Sequence, residues 1–135
     1  MEKQARGLRN NNPGNIRRSK DEWKGLRAEQ TDKDFFQFEE MKWGYRALIR
    51  ILQNYRKKYG CMTVAEMITK WAPANENSTT AYIRKVCSDM QVPSVYTPDV
   101  NDRTTMCAMA AAISRVENGV AAVMEDVRKG WEELG

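Results

Sequence analysis

Met106-Cys107-Ala108-Met109-Ala110-Ala111-Ala112-Ile113 is a run of eight residues without a charged or strongly polar side chain. A helix that is apolar nearly all round is a central one, because every face of it must be covered by other elements. This run therefore predicts a mainly helical fold built around one buried helix. Asp102 is its candidate N-cap, and the helix extends to about Val116. At this length it cannot cross a bilayer, which takes roughly 18–20 apolar residues. No other stretch reaches that length either, so no membrane span is expected.

The elements around it follow from period and punctuation. From Gly44 onward, Tyr45, Leu48, Ile49, Leu52 and Tyr55 recur at the three-and-four spacing of one helix face, with Arg50, Lys57 and Lys58 on the other. Gly60 is a natural stop. Thr63 and Glu66 form a capping box for a second helix, with Met67, Ile68 and Trp71 inward and Pro73 as terminator. A third helix starts at Ser78 or Thr79 and runs to about Met90, with Tyr82, Ile83 and Val86 inward. The buried helix is fourth and ends at Asn118-Gly119; Val120, Val123, Met124, Val127 and Trp131 mark a fifth. Residues 1–40 differ. Asn10-Asn11-Asn12-Pro13-Gly14-Asn15 is dense turn sequence, and the apolar spots Ile16, Trp23, Leu26, Phe35, Phe36 and Phe38 are spaced for short strands or a hairpin. The reading is a single domain over residues 1–135, with a hairpin and loop region in 1–40, a helical region in 41–135 and a cleft between them.

Composition narrows the chemistry. The 135-residue chain contains no histidine, which excludes a Cys/His zinc site and any His-dependent triad. Cys61, Cys87 and Cys107 are far apart and odd in number, and read as reduced, mostly buried thiols. Carboxylates remain as the natural acids and bases, and no metal or cofactor is implied. Net charge is +4 with a pI near 9.0, which suits an anionic polymer, whether cell wall or nucleic acid. Arg6, Arg9, Arg17, Arg18 and Lys20 gather near the N-terminus, without the aromatic interleaving of a single-strand binder. That N-terminus has no apolar core of a secretory signal. A target outside the cytoplasm would thus need something other than a signal peptide to carry the protein there after synthesis.

Glu117 is the leading candidate for catalysis. It stands at the end of the most apolar helix, before a forced turn at Asn118-Gly119. Burial and the negative helix end both disfavour a charged group there, as a general acid requires. An exposed, inert helix-end glutamate is the simpler alternative. Glu76, between the helix ended by Pro73 and the one begun near Ser78, either favours that helix start electrostatically or touches substrate. Asn11, Asn12 and Asn15 place several amides on one turn, where they suit hydroxyl and N-acetyl groups of a sugar polymer or simply form the turn. Tyr82 can pack its ring and still present its hydroxyl. Trp23, Trp43 and Trp71 read as core more readily than as sugar platforms.

Arg6-Gly7-Leu8-Arg9-Asn10-Asn11-Asn12-Pro13-Gly14-Asn15-Ile16-Arg17 resembles the opening of a family of small phage-associated proteins, often labelled structural or virion proteins. The likeness continues through Phe35-Phe36-Gln37-Phe38, Gly44-Tyr45-Arg46-Ala47, Trp71-Ala72-Pro73, Glu76-Asn77-Ser78-Thr79 with Tyr82, and Glu117-Asn118-Gly119. A more distant resemblance is to lysozyme-like glucosaminidases and lytic transglycosylases. The paired asparagines with Gly14-Asn15-Ile16 look like the glucosaminidase hairpin. Glu76 to Val86 looks like the late helix whose tyrosine lines the cleft, and Ala112 to Gly119 like the helix that ends in the catalytic glutamate. In those enzymes the glutamate helix precedes the hairpin; here it follows, as a circular permutation would have it. Asn118 stands where they usually carry serine.

These resemblances imply a lysozyme-like α+β fold with about five helices and a small N-terminal β-hairpin. They also imply a peptidoglycan-cleaving glycosidase of lytic transglycosylase or muramidase type, with Glu117 catalytic and Asn11, Asn12, Asn15, Glu76 and Tyr82 on the glycan. The protein is expected to act as a monomer on the glycan strand, with no nucleic-acid partner. The rival readings are a non-catalytic virion component with the same fold and a basic nucleic-acid-binding module.

Overall fold

The computed structural model describes residues 4–73 and 76–135, the side chains of Glu76 and Asn77 excepted. Among the described residues six helices follow one another: α1 (Arg6–Arg9), α2 (Met41–Tyr59), α3 (Val64–Trp71), α4 (Glu76–Met90), α5 (Arg103–Asn118) and α6 (Met124–Glu132). The five helices read from the sequence are α2 to α6, and α1 is an addition. Their ends obey the local chemistry. Thr63 accepts the amide of Glu66 at 3.1 Å while the Glu66 carboxylate accepts that of Thr63 at 3.2 Å, so the capping box closes. Asp102 accepts the Thr105 amide at 2.9 Å. Gly60 and Gly119 end α2 and α5 in left-handed geometry, with φ of 67° and 74°.

The helix α5 is the centre of the molecule. Met106, Met109, Ala110 and Ile113 are fully enclosed, and they join Leu48, Ile49, Leu52, Met67, Ile68, Val86 and Val127 in the main core. Each large aliphatic side chain buried there contributes roughly 1.5–3 kcal/mol, against about 1 kcal/mol for a cap. The core, more than the caps, therefore fixes where α5 lies and where its C-terminal end emerges. Helix α2 serves two cores at once. Its Tyr45, Leu48, Ile49 and Leu52 face the main core, and its Ala47 meets Ile16, Phe36 and Phe38 of the N-terminal segment.

The N-terminal segment does not show the expected hairpin. Among the described residues it forms no regular strand, only two isolated antiparallel bridges, Arg17 with Phe35 and Leu26 with Phe38. Backbone bonds cross at each bridge, from Arg18 to Asp34 and Phe36 to Ile16, and from Arg27 to Gln37 and Glu39 to Gly25, and side chains take up neighbouring backbone groups. The Asn12 amide donates to the carbonyls of Ile16 and Phe36 at 3.0 and 2.9 Å and accepts the Ile16 amide at 2.9 Å. Gln37 accepts the amides of Thr31 and Asp32, and Gln30 accepts that of Gln37. Asp32 accepts those of Asp34 and Phe35, and its carboxylate is gripped by Arg6 through two bonds of 2.7 and 2.6 Å. The Arg6 bond, with help from Asn10, holds Asp32 well below the usual carboxylate range.

Candidate functional site

A cleft of about 440 Å³ lies between the N-terminal segment and the helical body. Gly14, Asn15, Arg17 and Phe35 form one wall; Ile51 and Tyr55 of α2, Trp71 of α3 and Glu117 of α5 belong to the other. Glu117 is the one carboxylate among the described lining residues. Its position follows from the enclosed turns before it and the left-handed Gly119 after it.

Both oxygens of Glu117 are held. The Asn15 amide donates to Oε1 at 2.8 Å, and the Tyr82 hydroxyl donates to Oε2 at 2.8 Å. The Trp71 indole N–H in turn donates to the Tyr82 hydroxyl at 3.1 Å. With its oxygen accepting from the indole, the phenol is left with its proton to give to Glu117. Burial, and after it the nearby Glu117 carboxylate, push the Tyr82 phenol far above its ordinary range, so it remains a donor. The carboxylate is thus fixed from two sides and backed by an indole.

The turn that carries Asn15 is tied to the same helix end. The Asn118 amide donates to the Pro13 carbonyl at 3.0 Å and to the Ser114 carbonyl at 2.9 Å. Asn11 and Asn15 adopt φ of 51° and 49°, a left-handed region that asparagine tolerates better than most residues. Gly44 lets α2 approach this turn: a Cβ there would stand 2.2 Å from the Asn11 carbonyl oxygen. Gly7 does the same from α1, where a Cβ would stand 2.4 Å from Asn118 Oδ1 and 3.0 Å from Asn15 Oδ1.

The residues singled out in the sequence divide accordingly. Glu117, Asn15 and Tyr82 come together, Tyr82 from behind the carboxylate and not as a lining residue of the cleft. Asn12 has no exposed surface and its amide is engaged within the segment, the turn-holding place that was the alternative to a glycan contact. The Asn11 amide donates to the carbonyls of Phe38 and Glu39 and secures the turn, and Asn11 is not among the lining residues of the cleft. The Glu76 side chain lies outside the described residues. Trp71, weighed in the sequence as core or platform, is both a wall of the cleft and the donor behind Tyr82. Nothing in the sequence singled out Arg17, Phe35 or the anchoring role of Asn118.

A helical protein whose cleft centres on one glutamate is the class that this geometry defines. No family model matches the chain. It is 35% identical over 131 residues to Protein P5 of Pseudoalteromonas phage PM2, a match that covers 95% of this chain and 81% of that protein. The chain belongs to the family of that phage protein.

Proposed function

We propose that the protein is a peptidoglycan-cleaving glycosidase of lytic transglycosylase type, with Glu117 as its acid and base. The observation that carries this reading is the Glu117 carboxylate at the cleft wall, each oxygen met by one donor from a different part of the chain. A group held so rigidly on a helix end suits general acid catalysis, which depends on position before it depends on acidity. A hydrolase with two carboxylates would need a partner across the cleft. Glu39 and Glu40, exposed at the start of α2, do not line it, and the side chain of Glu76, the third candidate, lies outside the described residues. One carboxyl group suffices for the anhydro-forming route.

In that route protonated Glu117 gives its proton to the glycosidic oxygen as the C1–O bond breaks, and the substrate's own N-acetyl oxygen supports C1. The resulting carboxylate then takes the proton of the muramyl C6 hydroxyl while O6 closes on C1. The leaving sugar departs with a free 4-hydroxyl, the other end carries a 1,6-anhydro ring, and Glu117 is again protonated. Asn15 and Tyr82 keep the carboxyl group in one plane through both proton transfers. Relationship to a phage protein fits a wall-directed activity and equally fits a virion component without activity, so the test must separate them.

The test compares release of soluble muropeptides by wild type and Glu117→Gln, with mass spectrometry of the ends. Loss of general acid catalysis costs about 100- to 10,000-fold in rate, and anhydro ends are expected from wild type. Equal release by both proteins eliminates Glu117. No release by either favours the non-catalytic virion component.

A further inference from the structure

We propose that Arg17 makes the cleft selective for glycan that carries a carboxylate on its side arm, as the peptide-bearing sugars of the wall do; this rests on the glycosidase reading above. Two guanidinium groups lie over the Phe35 ring, that of Arg6 at 4.6 Å from the ring centre and that of Arg17 at 5.2 Å. Their charges have different fates. Arg6 is bound to Asp32 through two bonds and reaches Asp34 at 3.2 Å. Arg17 forms no ion pair among the described residues, is exposed, and lines the cleft together with Phe35 and Glu117.

Arg17 is thus a cation left available on the wall opposite the helices. Its antiparallel bridge to Phe35 fixes the backbone on which it stands, and the ring under its guanidinium restricts the side chain. A guanidinium presents paired N–H groups whose spacing matches a carboxylate, and a lysine does not reproduce that fork. A neutral amino-sugar chain offers this group hydroxyls and amide carbonyls but no charge. A glycan with an acidic arm next to the ring at Glu117 offers it a carboxylate within the same cleft. Charge therefore discriminates where ring shape cannot, because the neutral and acidic polymers share one β-1,4-linked amino-sugar backbone.

The experiment measures binding by Glu117→Gln protein, which prevents turnover, with and without Arg17→Gln. The probes are purified wall fragments retaining their acidic peptides and neutral chitin oligosaccharides of equal length. The expected result is about a tenfold fall in the preference for the acidic over the neutral glycan on Arg17→Gln, with a weaker dependence of the acidic binding on salt. Arg17→Lys should recover only part of the preference. An unchanged preference overturns the proposal, and so does an equal loss on both glycans, which would make Arg17 a support of the wall. If Glu117→Gln protein binds neither probe while binding duplex DNA in a steeply salt-dependent manner, the glycosidase reading itself falls and this proposal with it. Selective loss of preference with binding of both glycans intact supports the two together.

Discussion

Replacing Tyr82 by phenylalanine removes one oxygen and changes almost nothing else, so it tests how Glu117 is held. In the wild type that oxygen accepts from the Trp71 indole at 3.1 Å and donates to Glu117 at 2.8 Å. Phenylalanine takes away both bonds. The bond to a carboxylate is worth about 1.5–3 kcal/mol, and a buried donor left unpaired costs about 1–3 kcal/mol. Trp71 and Glu117 are only half-buried, so water recovers part of each loss, and a net cost of about 1–3 kcal/mol follows. For a chain of this length each kcal/mol lowers Tm by about 3–5 °C, giving a fall between about 3 and 15 °C. Tyr82 is not a lining residue, so substrate should bind nearly as before. The released carboxyl group, free to swing from its plane, should cost about 10- to 100-fold in kcat, as small misplacements do. Steady-state kinetics on soluble glycan strands, paired with thermal melts, read both quantities. A Tyr82→Phe protein with wild-type Tm and kcat would refute the idea that this hydroxyl holds Glu117. A rise in KM alone would make Tyr82 a substrate contact instead.

Gly7→Ala sets two effects against each other. Alanine in a helix is favoured over glycine by about 1 kcal/mol, but its Cβ would stand 2.4 Å from Asn118 Oδ1 and 2.8 Å from the Asn12 carbonyl oxygen. The clash with a buried carbonyl should win at about 1–3 kcal/mol; Tm and activity should fall together, and a higher Tm would show that the turn yields freely. The Asp32 carboxylate carries a linkage effect. Its folded pKa is depressed, chiefly by Arg6, so its contribution is present above the unfolded value of about 4 and is lost as pH falls below it. Acid titration followed by circular dichroism should show Asp32→Asn less stable than wild type at pH 6, with the gap narrowing between about pH 4 and 2. A gap that stays constant through that range would detach Asp32 from the acid response.

The helices from α2 onward were legible because each carries its own signal: period in α2, a capping box in α3, an aspartate cap and a left-handed glycine in α5. The four residues of α1 have no apolar period, and their helix is defined by what they pack on. The expected hairpin is reduced to two bridges for a reason visible in the side chains. Phe36 and Phe38 stand two apart as on one face of a strand, but beyond the few backbone bonds at the two bridges, Asn12, Gln30, Asp32 and Gln37 accept or donate the bonds of the neighbouring backbone groups. Composition marks such residues as turn formers and does not say which of them turn inward. The same limit applies at the site. Amide density drew attention to Asn11, Asn12 and Asn15 alike, while only Asn15 reaches Glu117. Arg17 was one of five basic residues near the N-terminus, and its place in the cleft lining, with its neighbour Arg6 neutralised by Asp32, sets it apart.

The separation between partners explains why the site is rigid. Asn15 and Glu117 stand 102 positions apart, and Pro13 and Asn118 stand 105 apart. Closing a loop of that length costs about 4 kcal/mol in chain entropy before any constant term. The two hydrogen bonds, at about 0.5–3 kcal/mol each depending on charge, barely match that. The ordering is instead imposed by the buried side chains of α2 and α5, which hold the N-terminal segment and the glutamate helix whether or not the site bonds form. The hydrogen bonds to Glu117 are then free to select its orientation, because the fold has already brought its partners within reach. That division of labour also frees the chain order. A glutamate near one end of the sequence and an asparagine turn near the other meet as closely as neighbours would, since what joins them is a shared core and not a shared segment.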